Sequence, residues 1–347
     1  MKEITTDILF EELPGQHGNL GLITLNRPQA LNALNHSMFI ALDEHLTEWQ
    51  NKKTIKAVVI RAVEGRAFCA GGDIRAAYEK KLANDASGLQ RFFKDEYQMN
   101  ERIHHFSKPY IALLDGITMG GGAGISLHGS HCVATPRLSF AMPETGIGFY
   151  PDVGTTYYLA RMPSKVGFYL GLTGARISYA DCAAIGIVQH VVAEDTLAKI
   201  ITALSEASIT SNIDVTQILN TFSLTPPPSS LLEHQNEIET CFSHHSIENI
   251  LFSLDEYGTE WCQQTAKTLR LKSPTSLKVT LKALQEAEKY DFDQCMKMEY
   301  NLTCHFLESH GFFEGIRAAI IDKDQKPHWK PSQLSEVTAQ DVDKYFT

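Results

Sequence analysis

The first half of the chain alternates short apolar runs with amphipathic stretches, a pattern typical of α/β proteins. Residues 20–26 and 56–63 are apolar runs rich in β-branched side chains, and they predict two buried strands. Between these runs, four large apolar residues recur at helical spacing: Met38, Leu42, Leu46 and Trp49. A strand, a helix and a second strand in this order predict parallel strands that are joined by a right-handed crossover.

Further apolar runs predict strands at residues 110–114, 132–135 and 138–141, with a helical region between about residues 74 and 105. Residues 225–230, Thr-Pro-Pro-Pro-Ser-Ser, are the clearest linker signal. The chain beyond this linker is expected to be helical, beginning one helix at Ser273-Pro274. We therefore predict an α/β core over residues 1–205 and a helical region over residues 206–347.

The composition is that of a globular protein, and the net charge excludes some partners. The 347 residues are 43% hydrophobic and 21% charged, and the formal net charge is −10. An acidic total gives no general attraction to nucleic acid or to an anionic membrane surface, so we expect neither as a partner. The sequence contains no apolar run of about 18 residues, as a membrane-spanning helix would require.

The N-terminal residues and the cysteines predict a cytoplasmic protein with reduced thiols. The stretch from Met1 to Asp7 contains acidic residues early and has no apolar core, unlike a secretory signal or a transit peptide. The seven cysteines contain no C-x-x-C pair, which disfavours both a zinc site and a disulfide framework. The paired histidines lack metal-site spacing, so we expect no metal.

Two glycine-rich turns follow predicted strands and could supply backbone donors to an oxyanion. They are Cys69-Ala-Gly-Gly-Asp73 and Met119-Gly-Gly-Gly-Ala-Gly124. Glycine lets a ligand approach the backbone closely, and N–H groups ahead of a helix lack helical partners. The alternative is that each is only a tight turn. The second turn fails the G-x-G-x-x-G dinucleotide pattern, and Ser126 fails the G-x-S-x-G pattern of serine hydrolases.

Three carboxylates are candidates for acid–base chemistry, and each also has a structural interpretation. Glu144 follows an apolar run, and a buried carboxylate of this kind has a raised pKa; it could equally be an exposed loop acid. Asp152 follows Pro151 and could instead cap the next helix. Glu96 lies on an apolar helical stripe with Phe92 and Met99, or at the edge of that stripe in contact with water.

These motifs, in this order and spacing, resemble the crotonase (enoyl-CoA hydratase/isomerase) superfamily. The resemblance rests on residues 66–74 (RAFCAGGDI) and 116–122 (GITMGGG). Residues 142–154 (MPETGIGFYPDVG) and the C-terminal segments 314–318 and 321–324 are similar to its thioester-hydrolase branch. The resemblance implies a superhelix of β-β-α turns with a helical C-terminal region and an acyl-CoA substrate.

The resemblance also implies roles for individual residues. The backbone N–H groups of Gly72 and Gly121 would form the oxyanion hole, and Glu144 would occupy the acid–base position. Asp152 and Glu96 would line the acyl end of the pocket. The implied reaction is hydrolysis of 3-hydroxyisobutyryl-CoA to 3-hydroxyisobutyrate and CoA in valine breakdown, with no cofactor beyond the CoA of the substrate.

One departure separates this chain from the hydratases of the superfamily, which carry a first catalytic glutamate two residues after Gly122. This chain has Gly124 there. Hydration of a double bond needs one carboxylate to orient water and another to protonate carbon. An isomerase, which manages with one glutamate, or a hydratase remains the alternative enzyme, and a non-catalytic acyl-CoA- or RNA-binding scaffold is the alternative of another class. The oligomeric state stays open, with a homotrimer or hexamer as the superfamily's options.

Overall fold

The structure, a computed structural model, describes residues 5–347, which group into two compact units. The first unit contains the described residues up to Gly72, together with Gln98–Phe140 and Ile177–Ser230. The second contains Asp73–Tyr97, Ala141–Arg176 and Leu231–Thr347. Residues 206–230, which the sequence assigned to the helical region, thus group with the first unit, and the division at residue 205 stays a prediction. Part of the N-terminal stretch tested for a targeting signal, residues 1–4, lies outside the described residues.

The strands, in chain order, are β1 Ile8–Leu13, β2 Asn19–Leu25, β3 Ile55–Ala62, β4 Ala67–Cys69, β5 Tyr110–Leu114, β6 Ile117–Met119, β7 His131–Ala134, β8 Ser139–Ala141, β9 Ile177–Ser178 and β10 His190–Val191. The helices are α1 His36–Asn51, α2 Ile74–Leu82, α3 Ala86–His104, α4 Gly121–Gly124, α5 Thr155–Leu159, α6 Val166–Thr173, α7 Tyr179–Ala184, α8 Leu197–Glu206, α9 Asn212–Asn220, α10 Gln235–Phe242, α11 Ile247–Tyr257, α12 Glu260–Arg270, α13 Pro274–Ala287, α14 Phe292–Phe306, α15 His310–Ile316 and α16 Ala339–Asp343.

A six-stranded sheet in the order β1-β2-β3-β5-β7-β10 forms the frame of the first unit. The predicted parallel pairing of β2 with β3 is confirmed, and helix α1 joins them. Strand β1 was not predicted; it pairs antiparallel with β2 at the edge of the sheet. Side chains of β2, β3, β5 and β7 pack with apolar residues of α8 and α9 into one buried cluster. This cluster fixes the sheet by removing apolar surface from water.

A smaller sheet of the first unit, in the order β4-β6-β8-β9, carries both glycine-rich turns. Strands β4 and β6 run parallel, with Cys69 opposite Thr118. Parallel neighbours end at the same edge of a sheet, so the turns that follow β4 and β6 are also neighbours. The four-residue helix α4 follows β6 and begins at Gly121.

The second unit is built mainly from helices, as the sequence predicted for the C-terminal part of the chain. Helix α13 begins where expected, with Ser273 as the N-cap and Pro274 in the first turn. The apolar side chains Leu277, Leu281 and Leu284 of α13 are buried, as are Cys295, Leu302 and Phe306 of α14. Within residues 5–347, no helix is both long and apolar enough to cross a membrane.

Candidate active site

The two glycine-rich turns of the first unit approach each other at backbone distance. A Cβ atom on Gly71 would lie 3.4 Å from the carbonyl oxygen of Met119 and 3.7 Å from the backbone nitrogen of Gly121. Gly71 has φ +116°, which favours glycine. A Cβ atom on Gly122 would lie only 2.4 Å from the carbonyl oxygen of Cys69. The close approach therefore depends on the absence of side chains, and it brings the turns containing Gly72 and Gly121 together.

Glu144, in the second unit, is a buried acid with an unsatisfied oxygen. It begins a 3₁₀ segment, Glu144–Ile147, which two residues separate from the end of strand β8, and is 6% exposed. Its Oε2 atom has no hydrogen-bond partner within residues 5–347. Burial and the negative charge of Asp152 raise the pKa of Glu144 well above its usual value, and the charge of Lys272 opposes that rise. The expected raised pKa is therefore present, and the exposed-loop interpretation is wrong.

Asp152 lies in a loop with unusual backbone geometry, where Val153 and Gly154 both have positive φ angles, 54° and 79°. The side chain is 5% exposed, and Oδ2 accepts a 2.6 Å hydrogen bond from the Tyr97 hydroxyl. The N-cap residue of the following helix, α5, is Gly154. The interpretation of Asp152 as a helix cap is therefore wrong, because its side chain is directed to Tyr97.

A buried network of hydroxyl groups surrounds the Asp152 carboxylate. The hydroxyl oxygen of Tyr97 lies 2.6 Å from Oγ1 of Thr303, which lies 2.9 Å from the Tyr150 hydroxyl. Tyr150 also donates to the carbonyl oxygen of Glu299. Burial raises the pKa of Tyr97 far above its usual value, and the charge of Asp152 raises it further. The Tyr97 hydroxyl therefore stays protonated and donates a hydrogen bond. The network orients Asp152 through a neutral donor.

Glu96 completes a cluster of three buried carboxylates, which we call the acid cluster: Glu96, Glu144 and Asp152. Glu96 lies on α3 and is 3% exposed, so the interpretation of a stripe-edge acid in water is wrong. Burial and then the charges of Asp152 and Glu144 raise its pKa well above the usual value. Like charges that share a water-poor site cannot all ionise at neutral pH. Burial and mutual repulsion therefore favour the protonated form within the cluster.

A fourth buried carboxylate, Glu299 of α14, holds the loop that carries Asp152. Its Oε2 accepts a 2.6 Å hydrogen bond from the Gly154 backbone nitrogen, and its Oε1 accepts bonds from the backbone nitrogen and hydroxyl of Thr156. Burial raises its pKa to about 8 despite these donors. Bonds to residues two and four positions after Asp152 stabilise the positive-φ backbone at Val153 and Gly154.

The sequence pointed to the three members of the acid cluster, and the structure brings these three together within the second unit. It also brings the turns with Gly72 and Gly121 together within the first unit. Sequence reasoning missed Tyr97, Thr303, Glu299 and Lys272, which lie far from the quoted motifs along the chain or carry no pattern. Tyr150 lay inside a quoted motif but received no role. Among the described residues, no group of three or more His, Cys, Asp or Glu side chains has the geometry of a metal site.

Two features, one in each unit, suit chemistry at a carbonyl carbon. Unpartnered carboxylate oxygen in a buried site is reactive as a nucleophile or as a base, because no donor stabilises it. Adjacent glycine turns expose backbone N–H groups of the type that stabilise an oxyanion. Acyl transfer needs both elements.

Comparisons with known proteins give a family model, similar sequences and similar structures. A family model described as enoyl-CoA hydratase/isomerase matches residues 20–346. The mitochondrial 3-hydroxyisobutyryl-CoA hydrolase of Rattus norvegicus is 42% identical over 347 residues, which covers 99% of this chain and 89% of the rat protein. A carnitinyl-CoA dehydratase from Mycobacterium thermoresistibile has a similar structure, with TM-score 0.91, 37% identity, and 99% of this chain and 97% of that chain covered. An enoyl-CoA hydratase from Rhodobacter sphaeroides gives TM-score 0.89 and 34% identity, with 99% and 97% covered.

Proposed function

The chain belongs to the enoyl-CoA hydratase/isomerase family, and from this membership we propose that it is an acyl-CoA thioester hydrolase. Its substrate is 3-hydroxyisobutyryl-CoA, which it converts to 3-hydroxyisobutyrate and CoA, a step of valine breakdown. The observation that carries the proposal is the buried Glu144, whose Oε2 has no partner within residues 5–347 and whose pKa is raised by burial and by the charge of Asp152. The rat hydrolase is similar over almost the whole chain, which supports the same conclusion.

We assign the binding of the thioester carbonyl oxygen to the backbone N–H groups of Gly72 and Gly121. Negative charge develops on that oxygen when the carbonyl carbon becomes tetrahedral, and two fixed N–H donors stabilise this charge more than the ground state. Donors of this kind contribute through their fixed orientation. The backbones of the two turns must therefore stay close to each other. This role is the reason why we expect glycine, and no side chain, at these turns.

Glu144 supplies the attack on the carbonyl carbon in one of two ways. As a nucleophile it forms a mixed anhydride and releases the CoA thiolate, and water then cleaves the anhydride to regenerate the carboxylate. As a base it takes a proton from a water molecule whose oxygen bonds to the carbonyl carbon, and the thiolate leaves. Both routes consume one water and give one carboxylic acid and one thiol. Both require the ionised form of Glu144.

Asp152 is the residue that we assign to recognition of the 3-hydroxyl group of the substrate. The Tyr97 hydroxyl occupies Oδ2, and Oδ1 is the acceptor that would bind the substrate hydroxyl. A buried carboxylate that loses this partner is left unsatisfied, so the site discriminates against acyl groups without the hydroxyl. Burial raises the pKa of Asp152, and the hydrogen bond from Tyr97 opposes the rise.

The Asp152→Asn variant tests the proposal together with this recognition role. We expect kcat/KM for 3-hydroxyisobutyryl-CoA to fall roughly 10- to 100-fold, the loss of a hydrogen bond to a charged group, with only a few-fold change for isobutyryl-CoA. Thiol release from both thioesters, followed in parallel, measures this difference. Asp195→Asn, at a side chain that is 79% exposed, is the matched control and should behave as wild type. Equal losses on the two substrates would remove Asp152 from hydroxyl recognition.

A hydratase or isomerase is the second candidate function, because the two similar solved structures carry the titles dehydratase and hydratase. Against a hydratase, Gly124 stands where that branch has its first catalytic glutamate. The structure has Gly124 at the end of α4, where glycine provides no carboxylate to orient water. A non-catalytic RNA-binding scaffold is disfavoured by the net charge of −10.

An acyl-CoA substrate is consistent with the family. A homotrimer and a hexamer stay options for the oligomeric state. The rat relative carries a mitochondrial location in its name, and the cytoplasmic location expected from the N-terminal residues stays a prediction. The absence of a metal and of a separate cofactor also stays a prediction.

A further inference from the structure

Lys272 lies in the short connection between α12 and α13 and reaches the turn that carries Glu144. Its Nζ atom would be 3.3 Å from a Cβ atom on Gly146 and 3.5 Å from one on Gly174. Gly146 follows Glu144 by two residues, and Gly174 is the C-cap of α6. The two glycines leave the space that the ammonium group occupies.

A backbone bond joins the two segments beside these residues. The Ser273 nitrogen donates to the carbonyl oxygen of Thr145 at 3.3 Å, and the Thr145 hydroxyl donates to the carbonyl oxygen of Leu172 at 3.0 Å. Lys272 directly precedes Ser273, and Glu144 directly precedes Thr145, the two residues that this backbone bond joins. The register of the lysine against the glutamate is therefore set by backbone contacts, independently of any ion pair.

We propose that Lys272 is a positioning residue for the reaction, whose ammonium group serves as the counter-charge that keeps Glu144 ionised inside the acid cluster. The inference rests on the proposed function, because the hydrolytic role requires Glu144 as an anion. Glu144 is buried beside two further acids, and Oε2 has no hydrogen-bond donor within residues 5–347 to stabilise its charge. A nearby cation is what favours the ionised form of such a group.

The electrostatics of both residues agree with this role. Burial raises the pKa of Glu144, Asp152 raises it further, and Lys272 lowers it. Burial lowers the pKa of Lys272, and Glu144 raises it. Each residue thus stabilises the charged form of the other, while the charge of Asp152 acts on Glu144 in the opposite direction.

Other charged residues on the elements that pack against the Glu144 turn have their own partners. Glu314 of α15 pairs with Arg317 at 2.8 Å, and the exposed His310 begins the same helix. Helix α13 carries three charged residues in ion pairs within the second unit: Lys278 with Glu248, Lys282 with Asp343, and Glu286 with Lys289. Next to α6, Lys165 pairs with Glu288. Lys272 is therefore the cation that we assign to Glu144.

The test is the pH profile of kcat/KM for Lys272→Met. Removal of the cation raises the pKa of Glu144, so the acidic limb should move upward by about one pH unit, with up to about tenfold slower turnover on that limb. Lys272→Arg keeps the charge and should retain the wild-type limb. Lys289→Met, which removes an exposed lysine from the same unit, is the matched control. The proposal would be overturned if folded Lys272→Met kept the acidic limb of wild type, and equally if the substitution changed KM alone.

A second measurement does not depend on turnover or on folding of the Lys272→Met variant. An NMR titration of lysine side-chain carbons, with the Lys272 signal assigned through Lys272→Arg, compares wild type with Glu144→Gln. By linkage, the pKa of Lys272 should be lower in Glu144→Gln. An equal pKa in both proteins would overturn the pairing. Failure of the proposed function instead shows as a wild-type protein that releases no thiol, and the titration still decides the pairing in that case.

Discussion

Glu144→Gln is expected to lower kcat for 3-hydroxyisobutyryl-CoA by roughly 10²- to 10⁴-fold, the range typical for loss of a catalytic acid–base group. Glutamine has the same shape but can neither attack the carbonyl carbon nor accept a proton. Binding of the substrate should change little, because the acyl-CoA contacts that we propose lie at the glycine turns and at Asp152. Thiol release under saturating substrate measures the effect on kcat, and calorimetric titration with the variant measures the effect on binding.

The same variant has a predicted effect on stability that separates chemistry from misfolding. The folded pKa of Glu144 lies above its unfolded value, so ionisation of this acid costs stability as the pH rises from the unfolded pKa toward the folded one. Glutamine removes that cost, and the thermal midpoint at neutral pH should be equal or higher. Glu48→Gln, at a side chain that is 64% exposed, should leave both activity and midpoint unchanged. Near-normal turnover in Glu144→Gln would remove Glu144 from the mechanism.

Gly122→Ala is expected to lower kcat roughly 100-fold, as loss of an oxyanion donor does in other acyl-transfer enzymes. A Cβ atom at this position would lie 2.4 Å from the carbonyl oxygen of Cys69, which is a backbone atom and cannot rotate away. The turns after β4 and β6 must therefore separate, and the N–H of the neighbouring Gly121 moves with them. The expected signature is a loss in kcat with a smaller change in KM, since the interaction strengthens in the transition state.

A glycine elsewhere in the first unit provides the control for this variant. Among residues 5–347, no atom would lie nearer than 3.8 Å to a Cβ atom on Gly65, so Gly65→Ala should have the activity of wild type. Circular dichroism establishes that Gly122→Ala remains folded before its kinetics are compared. Unchanged turnover in folded Gly122→Ala would contradict the placement of the oxyanion hole at these turns.

The sequence predicted the parts of the fold that have long, regular patterns. The predicted strands at residues 20–26, 56–63 and 110–114 match β2, β3 and β5 to within one residue, because each is a run of apolar residues at the centre of a sheet. The three-residue strands β4 and β6 were missed because they are too short for a period to show. The edge strand β1 was missed because acidic residues interrupt its apolar pattern.

Part of the candidate site could be predicted from local sequence patterns, and part depends on residues that are distant along the chain. Glu144 and Asp152 stood within recognisable motifs, and Glu96 broke the pattern of an apolar stripe. No local pattern could show that Tyr97 bonds to Asp152 or that Glu299 holds the Gly154 nitrogen, since the latter pair is 145 residues apart. Lys272 had one usable signal, because it directly precedes the helix start Ser273-Pro274. A helix start predicts where the backbone of Lys272 is fixed, but it does not predict which side chain lies next to that lysine.

The measurement that tests the central claim most directly is thiol release by the wild-type protein from 3-hydroxyisobutyryl-CoA and from crotonyl-CoA, with the enoyl double bond followed in the same samples. A thioester hydrolase with one carboxylate at Glu144 and with Gly124 two residues after Gly122 should release thiol rapidly from the 3-hydroxyacyl thioester. It should leave the double bond of crotonyl-CoA in place. Loss or migration of that double bond without thiol release from either substrate would contradict the account and favour the hydratase or isomerase branch.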